Sequence, residues 1–195
     1  MNKILKILVS VDFIVLSAFG FLGPIYAVFL NKNIEGGTLA SIGVASAIYL
    51  IAKSSFQIIV AKFNDAEKGN KRELYTMFTG YLLFSIVPIF YIFAKTIEHI
   101  YIIEFFFGLF AALGYPGWFT LYTRYVDKEQ EGYQWSVHDI GVNLGMAITA
   151  ALGGLIAETW NFNILFILIS ICSAAGSLLI LYLFNTAVLN NHHKK

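Results

Sequence analysis

The chain has 195 residues and a formal net charge of +1, and 58% of its residues are hydrophobic while only 13% are charged. Soluble domains have roughly 45–50% apolar and about 25% charged residues, so this composition excludes an ordinary water-soluble domain and predicts a protein that folds in a lipid bilayer. A chain so close to neutrality has no basic field to attract nucleic acid, and we expect no nucleic-acid partner.

Six long apolar segments, separated by short polar breaks, predict six membrane-spanning helices. A spanning helix needs about 20 mostly apolar residues, and continuous rather than alternating apolar runs indicate helices instead of strands. In chain order the predicted spans cover residues 4–30, 38–63, 73–94, 97–122, 136–157 and 162–187. We therefore expect an all-α integral membrane bundle that forms a single domain over residues 1–190, followed by a short polar, basic tail at residues 191–195.

The first predicted span begins with the basic flank of a signal peptide, at Lys3 and Lys6. Its apolar run continues to Leu30, which is beyond the usual length of a signal-peptide core, and it carries Asp12. We interpret this segment as a retained first helix.

The lysines and arginines in the loops and near the ends of the spans fall mostly on one side of the six-span arrangement. An even number of spans places both termini on the same side, and that side collects ten basic residues, against Lys32 and Lys95 on the other. The ten are Lys3, Lys6, Lys62, Lys68, Lys71, Arg72, Arg124, Lys128, Lys194 and Lys195. By the positive-inside rule, both termini are predicted to face the cytoplasm, as expected of a multi-pass protein of the plasma membrane.

Several polar residues lie within the predicted spans or at their ends. They are Asp12, Lys53, Gln57, Glu104 and Asp139. A charge at the centre of a span costs roughly 2.5–3.5 kcal/mol to insert, so such residues usually face a bundle interior or a watery cavity. We predict that all five line a transport cavity, with Asp12, Lys53 and Asp139 in its cytoplasmic half and Glu104 nearer the outer face.

The sequence leaves alternatives open for these residues. Lys53 has two candidate ion-pair partners at similar depth, Asp12 and Asp139. Both carboxylates lie close enough to the inner interface to reach it by snorkelling, and the outer headgroups could solvate Glu104. His138 is interpreted as an interfacial polar residue.

Small residues in the fourth and fifth spans predict close contacts between helices. The fifth span has two glycines at GxxxG spacing, a pattern that lets helix backbones approach closely. The residues expected at such contacts are Gly108, Ala112, Gly141, Gly145, Gly153 and Gly154.

Three stretches together resemble the N-terminal six-helix half of a major facilitator superfamily transporter. The loop AKFNDAEKGNKR is similar to the family pattern G-x-L-x-D-R-x-G-R-R, with Asp65, Gly69, Lys71 and Arg72 in similar roles. The stretch EFFFG resembles R-x-x-Q-G, with Glu104 at the arginine position. The stretch GMAITAALGG resembles G-x-x-x-G-P-x-x-G-G, with Thr-Ala in place of Gly-Pro.

This resemblance implies a half-size secondary transporter that moves a small solute by rocking two six-helix bundles about a midplane site. The two bundles of that fold are parallel repeats about an axis along the membrane normal, so two identical copies could reproduce the arrangement with twofold symmetry. We therefore expect a homodimer, or a pairing with a second six-helix half, with protons as a candidate coupling ion. The resemblance also implies that Asp65, Lys71 and Arg72 latch the cytoplasmic loop, with Arg124 as the candidate partner of Asp65.

A non-transporting six-span scaffold or assembly subunit is the alternative function. Such a protein would keep the helix packing but would need no deeply placed charges. An enzyme is not expected, because the chain lacks the HExxH, GxSxG and phosphate-binding loop patterns. We expect no cofactor and no metal site, since His192 and His193 lie in the polar tail.

Overall fold

The computed structural model is all-helical and describes residues 1–23, 25–67 and 69–184. Within these ranges seven helices follow one another: α1 (Lys3–Gly20), α2 (Tyr26–Asn33), α3 (Leu39–Asp65), α4 (Lys71–Tyr91), α5 (Ile97–Tyr125), α6 (Glu131–Thr159) and α7 (Phe162–Leu178). The predicted tail at 191–195, the end of the sixth predicted span at 185–187, and Lys68 lie outside the described residues.

Among the described residues, five helices are long and apolar enough to cross a membrane. They are α3, α4, α5, α6 and the segment that begins with α7 and runs from Phe162 to Phe184. These five coincide with the second to sixth predicted spans. The chain is therefore a multi-pass helical membrane protein.

The first predicted span is not one continuous helix. The structure divides it into α1 and α2, with a break after Gly20 and a restart at Tyr26. The intervening sequence contains Gly23 and Pro24, and proline both lacks a backbone donor and disfavours helical geometry in the residue before it. The prediction of a single helix over residues 4–30 is therefore wrong.

Side-chain caps fix where several helices begin. The Thr38 Oγ1 accepts the backbone N–H of Ser41 at 3.2 Å, and the Ser41 Oγ accepts the backbone N–H of Thr38 at 2.8 Å, which is a capping box at the start of α3. Asn161 Oδ1 accepts the backbone N–H of Ile164 at 3.0 Å and starts α7. One residue, Trp160, separates the end of α6 from this cap, so the chain reverses in a tight turn.

Each helix packs on particular neighbours, which gives the order α3, α5, α4, α7, α1, α6 around the bundle. A smaller contact between α1 and α5 closes the centre. Only 11% of the most apolar stretch of α3 and 17% of that of α6 is buried, against 33–50% in α4, α5 and α7. The two helices at the ends of this order therefore leave much of their surface uncovered.

Glycines allow the closest of these helix contacts. A Cβ at Gly108 would collide with the carbonyl oxygen of Tyr49, where α5 crosses α3, and one at Gly145 would collide with the hydroxyl of Ser17 on α1. Gly153 similarly approaches the backbone of α1's C-terminal cap, Phe21. Gly154 has no neighbour within 4 Å of a Cβ position in the described part of the chain.

The other two predicted packing residues have different surroundings. Ala112 is fully buried on α5. A Cβ at Gly141 would lie 3.8 Å from the ring of Phe13, which is ordinary contact and does not require glycine. The sequence did not predict the close crossing of α4 and α5 at Gly80 and Gly114, whose backbones touch.

Candidate functional site

An inner cavity of about 200 Å³ lies between α1, α3, α4 and α5. Asp12 from α1 and Lys53 from α3 both line it, and their roles in transport stay predictions. The other lining residues are mostly apolar or aromatic: Val15, Leu16, Tyr49, Tyr81, Phe84, Phe110, Ala111, Gly114 and Tyr115. The cavity therefore holds one acidic and one basic group in an otherwise largely apolar wall.

Asp12 belongs to a buried polar cluster in the wall of this cavity. The Tyr81 hydroxyl donates to Asp12 Oδ1 at 2.8 Å, and His138 Nε2 lies 2.7 Å from Asp12 Oδ2. Asp12 is 5% exposed and His138 is 8% exposed, so both groups are nearly shielded from solvent. The cluster joins α1, α4 and α6, and the interpretation of His138 as an interfacial residue is wrong.

Aromatic rings cover His138. Its ring centroid lies 5.0 Å from that of Trp118, 5.6 Å from that of Tyr122 and 6.0 Å from that of Trp135. These rings exclude water from the pair with Asp12. Sequence reasoning missed all of these partners, although His138 lies three residues before Gly141 and seven before Gly145, on the same predicted packing face of α6.

Lys53 interacts with an aromatic ring and does not pair with either predicted carboxylate in the described structure. Its Nζ lies 5.1 Å from the ring centroid of Tyr115, a cation–π geometry. Gln57 lies one turn further along α3, half-buried and outside the lining of the cavity. Asp139 is exposed on α6 and accepts a hydrogen bond from Asn143 Nδ2 at 3.0 Å. The predicted cavity roles of Gln57 and Asp139 stay predictions.

An outer cavity of about 360 Å³ contains Glu104. The hydroxyl of Tyr91 donates to Glu104 Oε1 at 2.7 Å, and the hydroxyl of Tyr26 donates to the same oxygen. Glu104 is 5% exposed. Among the described residues, no basic side chain lies within 4 Å of its carboxylate.

A cluster of three phenylalanines separates the two cavities. The Phe84 ring, which lines the inner cavity, lies 4.5 Å from Phe19 and 4.4 Å from Phe107, both of which line the outer cavity. Tyr49 lines both cavities and packs on Phe107 at 5.2 Å. We call Phe19, Phe84 and Phe107 the aromatic partition.

Arg124, at the end of α5, holds the loop between α3 and α4. Its guanidinium donates to the Gly69 carbonyl oxygen and to Asn70 Oδ1, and its Nη2 lies 2.9 Å from Glu73 Oε1. Asp65 is exposed at the end of α3. The predicted pairing of Arg124 with Asp65 is therefore not formed, because the buried Glu73 in the first turn of α4 supplies the acidic partner.

Lys71 and Arg72, the two predicted latch residues at the start of α4, differ in their contacts. Arg72 Nε lies 2.7 Å from Glu67 Oε2, and its Nη1 donates to the Phe63 carbonyl oxygen at 2.9 Å, so Arg72 joins the end of α3 to the start of α4. Lys71 is exposed. The contacts that join this loop to the ends of α3, α4 and α5 in the described structure are therefore made by Arg72 and Arg124, and the predicted latch stays a prediction.

Comparison with known proteins gives one family. A sequence model of the Major Facilitator Superfamily matches residues 8–195, which is nearly the whole chain. A search of curated proteins finds no match.

Proposed function

The chain belongs to the major facilitator superfamily, and we propose that it is a secondary transporter that carries a small solute across the plasma membrane. The superfamily is one of membrane transporters, and the five long apolar helices fit a multi-pass protein. The observation that carries the proposal is the inner cavity, which both Asp12 and Lys53 line inside an apolar bundle. A scaffold has no need of such charges, each of which costs roughly 2.5–3.5 kcal/mol at the centre of a span.

The proposed topology has six crossings, of which α1 and α2 together make the first. These two helices contain 18 and 8 residues, and at about 1.5 Å per residue they reach about 39 Å, more than the roughly 30 Å of a bilayer core. The asymmetric distribution of lysine and arginine supports a cytoplasmic location for both termini.

The proposed assembly is a homodimer of six-helix bundles, with a second six-helix half as the other possible partner. The incomplete burial of α3 and α6 supports it, because these two helices also present polar groups toward the uncovered side. Lys53 and Gln57 lie half-buried on α3, and Asp139 is exposed on α6. A second bundle against α3 and α6 would remove these groups from lipid and close the inner cavity between two halves.

Protons are the proposed coupling ion, and the Asp12–His138 pair is the proposed carrier. Each group changes its charge when it gains or loses a proton, and Asp12 of the pair lines the inner cavity. Tyr81 holds the other oxygen of Asp12 and so fixes the carboxylate toward His138. A proton that leaves this pair would change the charge that a solute beside Lys53 meets.

A flux screen in proteoliposomes tests this function. A panel of small solutes is measured with and without an imposed proton gradient, for the wild type, Lys53→Met and Lys62→Met. Lys62 is the matched control, because it lies on α3 but is exposed near its end. We expect gradient-dependent uptake of at least one solute, lost in Lys53→Met and kept in Lys62→Met. Absence of flux, with Lys53→Met folding as stably as wild type, would favour the scaffold.

A further inference from the structure

We propose that the outer cavity binds an alkylammonium group, with Glu104 as its counter-ion. This inference rests on the proposed function, since it names the class of solute that the transporter would accept. It concerns the cavity between α1, α2, α3, α4 and α5 and not the inner cavity that contains Asp12.

The carboxylate of Glu104 has no positive partner among the described residues. It is 5% exposed, and no lysine, arginine or histidine of the described chain lies within 4 Å. Lys53, half-buried on α3, has its Nζ over Tyr115. Tyr115 lies eleven residues further along α5, about 16 Å along the helix axis. A buried carboxylate without a cation is unfavourable, so a positively charged ligand would be stabilised there.

One oxygen of Glu104 is left for a ligand. Tyr26 and Tyr91 both donate to Oε1. No hydrogen bond from a described residue reaches Oε2, although Glu104 lines the cavity. The two tyrosines belong to α2 and α4, so they fix the carboxylate from two sides while its second oxygen stays available.

The rest of the cavity suits an organic cation better than a metal ion. Five of its lining residues are aromatic: Phe19, Tyr26, Tyr49, Tyr91 and Phe107. The faces of such rings attract alkylammonium groups through cation–π interactions. A hard metal ion needs six or more oxygen ligands, and the described residues contain no cluster of three or more metal-ligating side chains. The volume of about 360 Å³ also accommodates a ligand of several heavy atoms.

An alkylammonium group could come from a free solute or from a lipid headgroup. Glu104 lies seven residues after the start of α5, about 10 Å along the helix from its predicted outer end. A headgroup at the outer surface could therefore reach the same cavity. Both sources present the same chemistry to Glu104, and the choice of lipid separates them.

The test measures binding of radiolabelled choline to the full chain in nanodiscs of phosphatidylglycerol, a lipid without a cationic group. The uncharged comparison ligand is 3,3-dimethylbutan-1-ol, in which carbon replaces the ammonium nitrogen. Glu104→Gln removes the charge but keeps the shape, and Glu98→Gln is the control, because Glu98 is exposed on the same helix. We expect choline binding to fall at least tenfold in Glu104→Gln and to stay unchanged in Glu98→Gln. We expect the alcohol to compete with radiolabelled choline at least tenfold more weakly than unlabelled choline does.

Three results would overturn the inference. They are the absence of saturable choline binding, choline binding by Glu104→Gln that equals that of wild type, and competition by the alcohol that equals competition by unlabelled choline. If Glu104→Gln unfolds, Phe107→Leu keeps the carboxylate and removes one ring, and we expect weaker binding of choline than in wild type with competition by the alcohol unchanged.

Weaker choline binding in phosphatidylcholine nanodiscs assigns the site to headgroups, and equal binding in both lipids assigns it to a free solute; either keeps the alkylammonium site. Solute flux that persists without choline binding overturns this inference alone and leaves the proposed function standing.

Discussion

The ion pair between Arg124 and Glu73 is expected to be a main stabiliser of the end of the bundle that contains the α3–α4 loop. The side chain of Glu73 is 2% exposed and that of Arg124 is 41% exposed. Arg124→Met would leave the carboxylate buried and unpaired, and breaking a buried pair costs about 3–5 kcal/mol. Because Arg124 is partly exposed and Glu73 lies in the first turn of α4, where the helix dipole favours a negative charge, we take the lower end, about 3 kcal/mol.

This loss is measurable by thermal unfolding in detergent. For a chain of this length about 1 kcal/mol corresponds to about 2–4 °C, so Arg124→Met should lower Tm by about 6–12 °C. The double variant Arg124→Met with Glu73→Met should recover most of the loss, because no unpaired charge is left buried. Arg72→Met is the control: neither member of its pair with Glu67 is buried, with side chains 32% and 52% exposed, so we expect a loss below about 1 kcal/mol.

The reasoning fails if Arg124→Met shifts Tm by less than about 2 °C, or if the double variant is no more stable than the single one. The first result would mean that solvent or another group neutralises Glu73. The second would mean that the hydrogen bonds from Arg124 to Gly69 and Asn70, rather than the ion pair, hold the loop.

Two further predictions concern coupling and assembly. Asp12→Asn should keep the hydrogen bond from Tyr81 but abolish the dependence of uptake on a proton gradient, measured as the ratio of flux with and without the gradient; an unchanged ratio would exclude the pair with His138 as the proton carrier. The proposed dimer should become a monomer in native mass measurements when Ala47→Trp on α3 or Ala147→Trp on α6 is introduced. Thr79→Trp, exposed on α4, should leave the dimer intact. A wild type that is monomeric while it transports would refute the dimer.

The spans from α3 to α7 could be predicted from the sequence because bilayer thickness fixes how long an apolar run must be. The same rule misled at the first span. There the apolar run continues through Gly23 and Pro24, so hydropathy predicts one continuous segment. In the structure the helix ends at Gly20 and a new one begins at Tyr26, because proline disfavours a continuous helix. Length and hydropathy therefore locate the crossings, while local backbone chemistry decides whether a crossing is continuous.

Partners of the buried charges were harder to predict than their burial. Depth along the helix placed Asp12 and Lys53 at a similar level, and both line the inner cavity, but depth could not predict that α6 would turn His138 toward Asp12. The choice between Asp65 and Glu73 for Arg124 similarly depends on which carboxylate faces the end of α5. Which side chains pair depends on how two helices rotate and cross relative to one another. The sequence pattern of one helix does not contain the orientation of its partner.

The aromatic partition links the two acidic sites to the proposed second bundle. Its rings lie 4.4–5.4 Å apart, which is van der Waals contact, so no solute can pass between them from the Glu104 cavity to the Asp12 cavity in this conformation. Phe19, Phe84 and Phe107 belong to α1, α4 and α5, which are held together by their own packing. A route between the cavities that avoids these rings must follow the uncovered side of the bundle, along α3, whose Tyr49 lines both cavities. A second bundle against that side would give the route its other wall, and rocking of the two bundles could then open each cavity in turn.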